Sequence, residues 1–208
     1  AAQTVVGFSL LRFVKLRSTK SVLATLVLLV VSAWLVTGAD LRAWSSIVDE
    51  GGETQRQELV RVVTGPMATA AVIRFPDETK RLFVDRHHGM GGERGVFIER
   101  RQGHLPMVLH GRAREVLVVG VGTGNTIAAV ASHSPNHLDA AESSSAVLDM
   151  LDLFSETNER IWRTENVTIH NLDGHSLLRR TNRRYDVIVS DLVHPWRAGA
   201  SGLYSVDH

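Results

Sequence analysis

Cysteine is absent from the 208 residues, which excludes a disulfide-stapled scaffold, a thiolate zinc site and a cysteine nucleophile. Net charge is nearly absent too. Lys and Arg number 23 against 22 Asp and Glu, giving a formal charge of +1, so no global field draws the chain onto a polyanion and no nucleic-acid partner is expected. Repeats and low-complexity tracts are missing. The length suits one domain of ordinary size and something smaller, not two large domains. Metal-site spacing is also missing among the 10 histidines: His87 and His88 would point to opposite sides of a strand, and no H-E-x-x-H pattern adds a carboxylate. No metal is expected.

Charge is locally absent as well, from Ser21 to Ala39 (SVLATLVLLVVSAWLVTGA). As a helix this run is about 28 Å long, close to the roughly 30 Å of a bilayer's hydrocarbon core. A transmembrane helix is therefore expected at 21–39, with Trp34 near one interface and Arg12, Lys15, Arg17 and Lys20 in the basic flanking segment 1–20. A buried core helix would rarely stay uncharged on every side for so long, and a secretory signal is normally shorter. The basic cluster would keep residues 1–20 in the cytoplasm and send the rest outside, whereas a nucleotide cofactor is expected inside the cell. These readings oppose each other, and the sequence assigns no side. The chain begins without Met, and Val5 to Leu11 is again mostly apolar, so a piece of a longer polypeptide is expected.

Residues 40–58, with Gly51 and Gly52, read as a linker. A small antiparallel β domain is expected over 59–99: ELVRVV, a break at Gly65 and Pro66, ATAAVIRF, a turn at residues 76–78, and KRLFVD. Gly89, Gly91, Gly92 and Gly95 predict a mobile loop or pair of turns, and HLPMVLH (104–110) a short helix. Over 100–208 the alternation is that of a parallel α/β sheet. EVLVV, HLDAAE, VTIHN and YDVIVSD read as strands, and NTIAAVASH, AVLDMLDLF (capped by Ser144 or Ser145) and SLLRRT as helices. The sequence stops before the further strands such an open sheet normally has.

Gly120, Gly122 and Gly124 follow an apolar strand and precede a helix, a setting that permits a tight turn and close approach of backbone to ligand. The dinucleotide fingerprint would want glycine where Asn125 stands, so a nicotinamide cofactor is disfavoured. Glu142, at the end of the next strand, can accept two hydrogen bonds from a ribose diol. Asp173 and Gly174 follow the third strand, where a carboxylate could accept from an adenine amino group; Asp-Gly is also an ordinary turn. Asp191 ends the fourth strand at the carboxyl edge, where a partly desolvated carboxylate can take a proton from an amine. His194 could orient Asp191, bind substrate, or pack beside Pro195 and Trp196. Tyr204 offers a phenol over an acceptor pocket.

Together these strings resemble the spermidine synthase (polyamine aminopropyltransferase) family, in particular its bacterial membrane-associated branch, where a transporter-like multi-span region is fused to such a domain. The resemblance runs from about Gly65 to Tyr204 on GPMATAAVIRF, RLFVD, HLPMVLH, EVLVVGVGTGNT, Glu142, DGHSLL and, most specifically, YDVIVSDLVHPW followed by GLYS. It implies a small β domain ahead of a Rossmann-like, S-adenosylmethionine-type transferase core. The implied reaction passes an aminopropyl group from decarboxylated S-adenosylmethionine to putrescine, releasing methylthioadenosine. Gly120, Gly122, Thr123 and Gly124 would then form the cofactor loop, Glu142 would hold the ribose, and Asp173 with Gly174 would border the adenine. Asp191 would be the base, with His194 and Tyr204 beside it. The implied partners are a small amine, a lipid bilayer at the bacterial inner membrane and a second copy of the chain.

Departures from the family pattern leave alternatives open. Soluble members carry an aspartate where this chain has Thr123 and a second one where it has His194, and their Tyr-His-Glu falls at Ile98, Glu99 and Arg100. A methyltransferase using ordinary S-adenosylmethionine on a small or membrane-borne molecule is the second reading, since a neutral loop tolerates a donor that keeps its carboxylate. A catalytically weak sensing or interaction domain coupled to membrane spans is the third.

Overall fold

A computed structural model describes residues 25–32, 57–85 and 87–190. The chain divides into two compact units, Ala1–Gly51 and Gly52–His208. In the first, residues 25–32 are helical, with Leu26, Val27, Leu28, Leu29, Val30 and Val31 all exposed. The rest of the run expected to cross a membrane lies outside the described residues. Among the described residues no helix is long and apolar enough to cross one, so the expected transmembrane helix is not shown.

The second unit opens with an antiparallel sheet in sequential order: β1 (Glu58–Thr64), β2 (Thr69–Arg74), β3 (Lys80–Val84) and β4 (His87–Gly92). The turns at Gly65-Pro66 and residues 76–78 fall where the sequence predicts them. β4 does not. Its glycines read as turn signals, yet a Cβ on Gly92 would come within 2.4 Å of the Lys80 carbonyl oxygen. Glycine here permits close backbone approach between strands rather than a loop.

Helix α1 (Val96–His110) is twice the expected length, and the boundary expected between residues 99 and 100 falls inside it. Gly103 is the reason. It looks like a helix breaker in sequence, but a Cβ there would lie 2.4 Å from the Thr126 carbonyl oxygen and 2.7 Å from Ala129 Cβ, so its bareness lets a second helix pack against α1. That helix is α2 (Asn125–Ala131), which follows β5 (Glu115–Val119). Gly111, left-handed at φ 76°, ends α1 by donating to the Met107 carbonyl.

β5 joins β6 (His137–Ala141), β7 (Val167–His170) and β8 (Val187–Ser190) in a parallel sheet ordered β7-β6-β5-β8. The apolar run of β5 buries on both faces, as an inner strand of a parallel sheet does: Val116 and Val118 pack with Ile127, Val130 and Leu138, and Leu117 and Val119 with Leu177. The expected helix AVLDMLDLF is instead a short turn α3 (Ser145–Leu148), capped by Ser144, then a 3-10 turn (Leu151–Phe154). The carbonyls of Asp149, Leu151 and Leu153 are taken by Arg61, Asn158 and Lys80, so they are drawn from the helical ladder. Its apolar face still buries: Ala146, Val147, Met150 and Phe154 close the small sheet's core with Ala70, Val72 and Leu82. Helix α4 (Gly174–Arg180) follows β7.

Candidate nucleoside site at the carboxyl edge

The order β7-β6-β5-β8 puts the topological switch point between β5 and β8, and in open sheets ligands bind outside the carboxyl ends at such a point. The glycine loop leaves β5 there. Gly120, Gly122 and Gly124 all have positive φ, 91°, 53° and 87°, a run that side-chain-bearing residues would adopt only with strain. Between them Val121 and Thr123 are buried, 3% and 2% exposed.

Glu142 leaves the end of β6 and closes on this loop. Its Oε2 accepts from Val121 N at 3.2 Å and its Oε1 from Ser144 N at 2.9 Å. The carboxylate is thereby fixed between the glycine loop and the start of α3. A carboxylate has about four lone-pair sites; each oxygen spends one on the backbone and keeps one. That is the pair of acceptors to which the two hydroxyls of a ribose diol can donate, so the residues fit an S-adenosyl-type nucleoside.

Asp173 sits at the end of the β7 crossover and caps α4, its Oδ2 accepting from Ser176 N at 2.9 Å. Gly174 is explained by packing: a Cβ there would lie 2.6 Å from Val119 Cγ1. The glycine loop, Glu142 and Asp173 thus share one edge of the sheet. Asp191, His194 and Tyr204, with Pro195 and Trp196, lie outside the described residues. Ser190, the residue before Asp191, pairs with Val119, the residue before the loop.

Two side chains that hold the loop escape sequence reasoning. Asn158, fully buried, donates from Nδ2 to the Thr123 carbonyl at 2.8 Å and to the Leu151 carbonyl at 3.0 Å, and accepts from Arg160 N at 3.0 Å. Glu99, on the first turn of α1, accepts at Oε2 from the Thr123 hydroxyl in a short bond and from Asn125 Nδ2 at 2.8 Å. Its Oε1 accepts from Gly92 N at 3.0 Å. A surface-like Glu-Thr-Asn-Glu string carries no signal for the first. For the second the sequence shows only a departure from the family's pattern at that position.

Another buried acid, Asp139, belongs elsewhere. His170 Nε2 and the Tyr185 hydroxyl each lie 2.8 Å from its oxygens and Arg183 Nε 3.2 Å, which ties β6 to β7 and to the segment before β8. Burial, then the Asp139 bond, push the Tyr185 phenol up to about 12. Among the described residues no group of His, Asp and Glu could hold a metal ion.

Residues 97–208, over half of the chain, match the spermine/spermidine synthase domain. The chain belongs to that family. It is 32% identical to polyamine aminopropyltransferase 1 of Pseudomonas aeruginosa across 44% of this chain and 33% of that protein. With the polyamine aminopropyltransferase of Streptococcus uberis identity is 26% across 65% of this chain and 47% of the relative. The chain thus spans a third to a half of these curated relatives' length. Among solved structures, a spermidine synthase in complex with the transition-state analogue AdoDATO superposes with a TM-score of 0.64 at 19% identity, covering 71% of this chain and 50% of that one. The Thermotoga maritima spermidine synthase gives 0.60 at 21% identity, covering 66% and 47%. These likenesses confirm the fold expected from the sequence, a Rossmann-like core with an antiparallel sheet ahead of it.

Proposed function

We propose that this spermidine-synthase-type domain transfers an aminopropyl group from decarboxylated S-adenosylmethionine to a small amine such as putrescine. The observation that carries the reading is the Glu142 carboxylate, fixed by Val121 N and Ser144 N beside the three positive-φ glycines Gly120, Gly122 and Gly124. That arrangement suits the ribose of an adenosyl group, with Asp173 and Gly174 bordering the base. The capping bond of Asp173 leaves its carboxylate capacity to accept from the adenine amino group.

In the proposed reaction the amine's lone pair attacks the propyl carbon bound to the sulfonium. The carbon–sulfur bond breaks, its electron pair stays on sulfur, and methylthioadenosine leaves. Asp191 takes the proton lost by the amine, with His194 and Tyr204 orienting the acceptor. Because the sulfonium already makes the carbon electrophilic, positioning and an unprotonated amine are most of what catalysis requires.

The lipid bilayer is the partner proposed for residues 21–39, supported by the unbroken exposure of Leu26 to Val31; an inner-membrane location and a self-pairing chain belong to the same proposal. The membrane-fused branch of the family accommodates both the apolar run and the domain. The function is tested by single-turnover transfer from decarboxylated and from ordinary S-adenosylmethionine to putrescine, for wild type and Asp191→Asn. Methylthioadenosine and the aminopropylated amine are the expected products. Asp191→Asn should fold and bind donor but slow transfer by roughly 10²-fold to 10⁴-fold. Methyl transfer from ordinary S-adenosylmethionine would establish the methyltransferase reading instead, and intact donor with no turnover the sensing one.

A further inference from the structure

We propose that Glu99 supplies the negative charge that makes this site select a donor with a cationic side chain over one that also carries a carboxylate. The inference rests on the aminopropyl-transfer reading and adds to it the residue that sets donor specificity.

The surroundings of Glu99 are built for a carboxylate. A Cβ on Gly91 or Gly95 would come within 2.6 Å or 2.7 Å of its Oε1, so the two bare positions make room for the oxygen that Gly92 N binds. On the other side Oε2 meets the Thr123 hydroxyl on the glycine loop and the Asn125 amide at the start of α2. Thr126 Oγ1 donates to the Glu99 carbonyl at 3.1 Å, which fixes its backbone to α2. Three donors are thus spent on the carboxylate, and all three are neutral. Nearby acids are treated differently: Glu93 pairs with Lys80 at 3.2 Å and Glu159 with Arg100 at 2.6 Å. Among the described residues no Lys, Arg or His pairs with Glu99. A half-buried, hydrogen-bonded carboxylate with no cationic partner among the described residues, at the threshold of the glycine loop, favours a cation there.

The two donor chemistries differ at that place. The decarboxylated donor carries a sulfonium and an ammonium, a net positive side chain. Ordinary S-adenosylmethionine adds a carboxylate, which a fixed carboxylate repels. Thr123, uncharged in itself, holds the Glu99 carboxylate against the loop by donating its hydroxyl to Oε2. Loss of an acidic residue from the loop is in this way compensated from α1.

The experiment is calorimetric binding of three probes, decarboxylated S-adenosylmethionine, ordinary S-adenosylmethionine and methylthioadenosine, to wild type and Glu99→Gln. Gln is compatible with the fold: its carbonyl can accept from Gly92 N, and its amide can donate to Asn125 Oδ1, a buried acceptor now without a partner, once Asn125 turns over. Wild type should bind the decarboxylated donor at least about 10-fold more tightly than the ordinary one. In Glu99→Gln its affinity should fall by about 10-fold to 100-fold. Methylthioadenosine, which has no charge for Glu99 to meet, should change by less than about 3-fold. Equal weakening of the decarboxylated donor and methylthioadenosine would make Glu99 a structural latch and overturn the proposal. So would equal affinity of wild type for the two donors, a result that needs no variant. Failure of wild type to bind any of the three would overturn the aminopropyl-transfer reading as well.

Discussion

Replacing Asn158 tests whether the glycine loop is held by hydrogen bonds from outside the β5–α2 segment. Asn158 is fully buried and makes three bonds, to the Thr123 and Leu151 carbonyls and from Arg160 N. Each buried bond contributes a net 0.5 to 1.5 kcal/mol or so, and a group left unpaired away from water costs about 1 to 3 kcal/mol. Asn158→Ala should therefore destabilise the folded chain by about 3 kcal/mol. Asn158→Asp sharpens the reasoning, because it keeps the shape but sets a carboxylate oxygen against two carbonyls that now sit 2.8 Å and 3.0 Å from an amide. The acid should do at least as much harm as alanine, since a buried charge without a partner is costlier than a missing donor. Urea unfolding with linear extrapolation measures both, and methylthioadenosine affinity should fall with stability because Thr123 is the residue being held. A loss below about 1 kcal/mol for alanine, or an aspartate variant as stable as wild type, would refute the argument.

Two further outcomes follow from packing and charge. Gly103→Ala places a methyl 2.4 Å from a backbone oxygen of α2, so α1 and α2 must separate, at a cost of about 1 to 3 kcal/mol in unfolding free energy; an unchanged urea midpoint would contradict it. The Arg61–Asp152 pair, bonded at 2.6 Å and 3.1 Å, docks the small sheet on the segment after β6, and the Arg61 hydrogen bond holds the Asp152 carboxyl below its ordinary value. A carboxyl lowered in the folded state contributes stability above its unfolded pKa and loses it as pH falls through the folded one. Wild type should exceed Asp152→Asn by a margin under about 1 kcal/mol, since the pair is solvent-screened. That margin should be full at pH 6 and shrink below about pH 4, whereas a constant one down to pH 2.5 would dissociate the pair from acid stability.

The parts of the fold readable in sequence are those fixed by local pattern. The apolar runs Glu115–Val119 and Val187–Ser190 read as strands and are strands, the first of them buried, and Glu142 stands one residue beyond the end of β6. Glycine misleads because its meaning depends on what approaches it. Gly92 and Gly103 read as breaks, but they are contact points for Lys80 and α2. Gly174, read as part of a ligand turn, also makes room for Val119, a contact that its place in the sequence does not reveal. The helix expected after Ser144 is broken by donors far away in sequence, Arg61 and Lys80. Glu99 and Asn158 reach the loop across 24 and 35 residues, and no periodicity or spacing encodes such contacts.

The central claim is that Glu142 holds a ribose diol at the carboxyl edge of the parallel sheet. Its most direct test is a cycle of four dissociation constants, for methylthioadenosine and its 2′-deoxy analogue on wild type and on Glu142→Gln. Because glutamine also loosens the bonds to Val121 N and Ser144 N, a drop in affinity alone would not isolate the ribose contact, whereas the ratio between the two nucleosides does. Wild type should favour methylthioadenosine over the deoxy analogue by about 10-fold to 100-fold, the worth of a charged hydrogen bond, and Glu142→Gln should lose most of that preference. The same ratio in both proteins would remove Glu142 from the site.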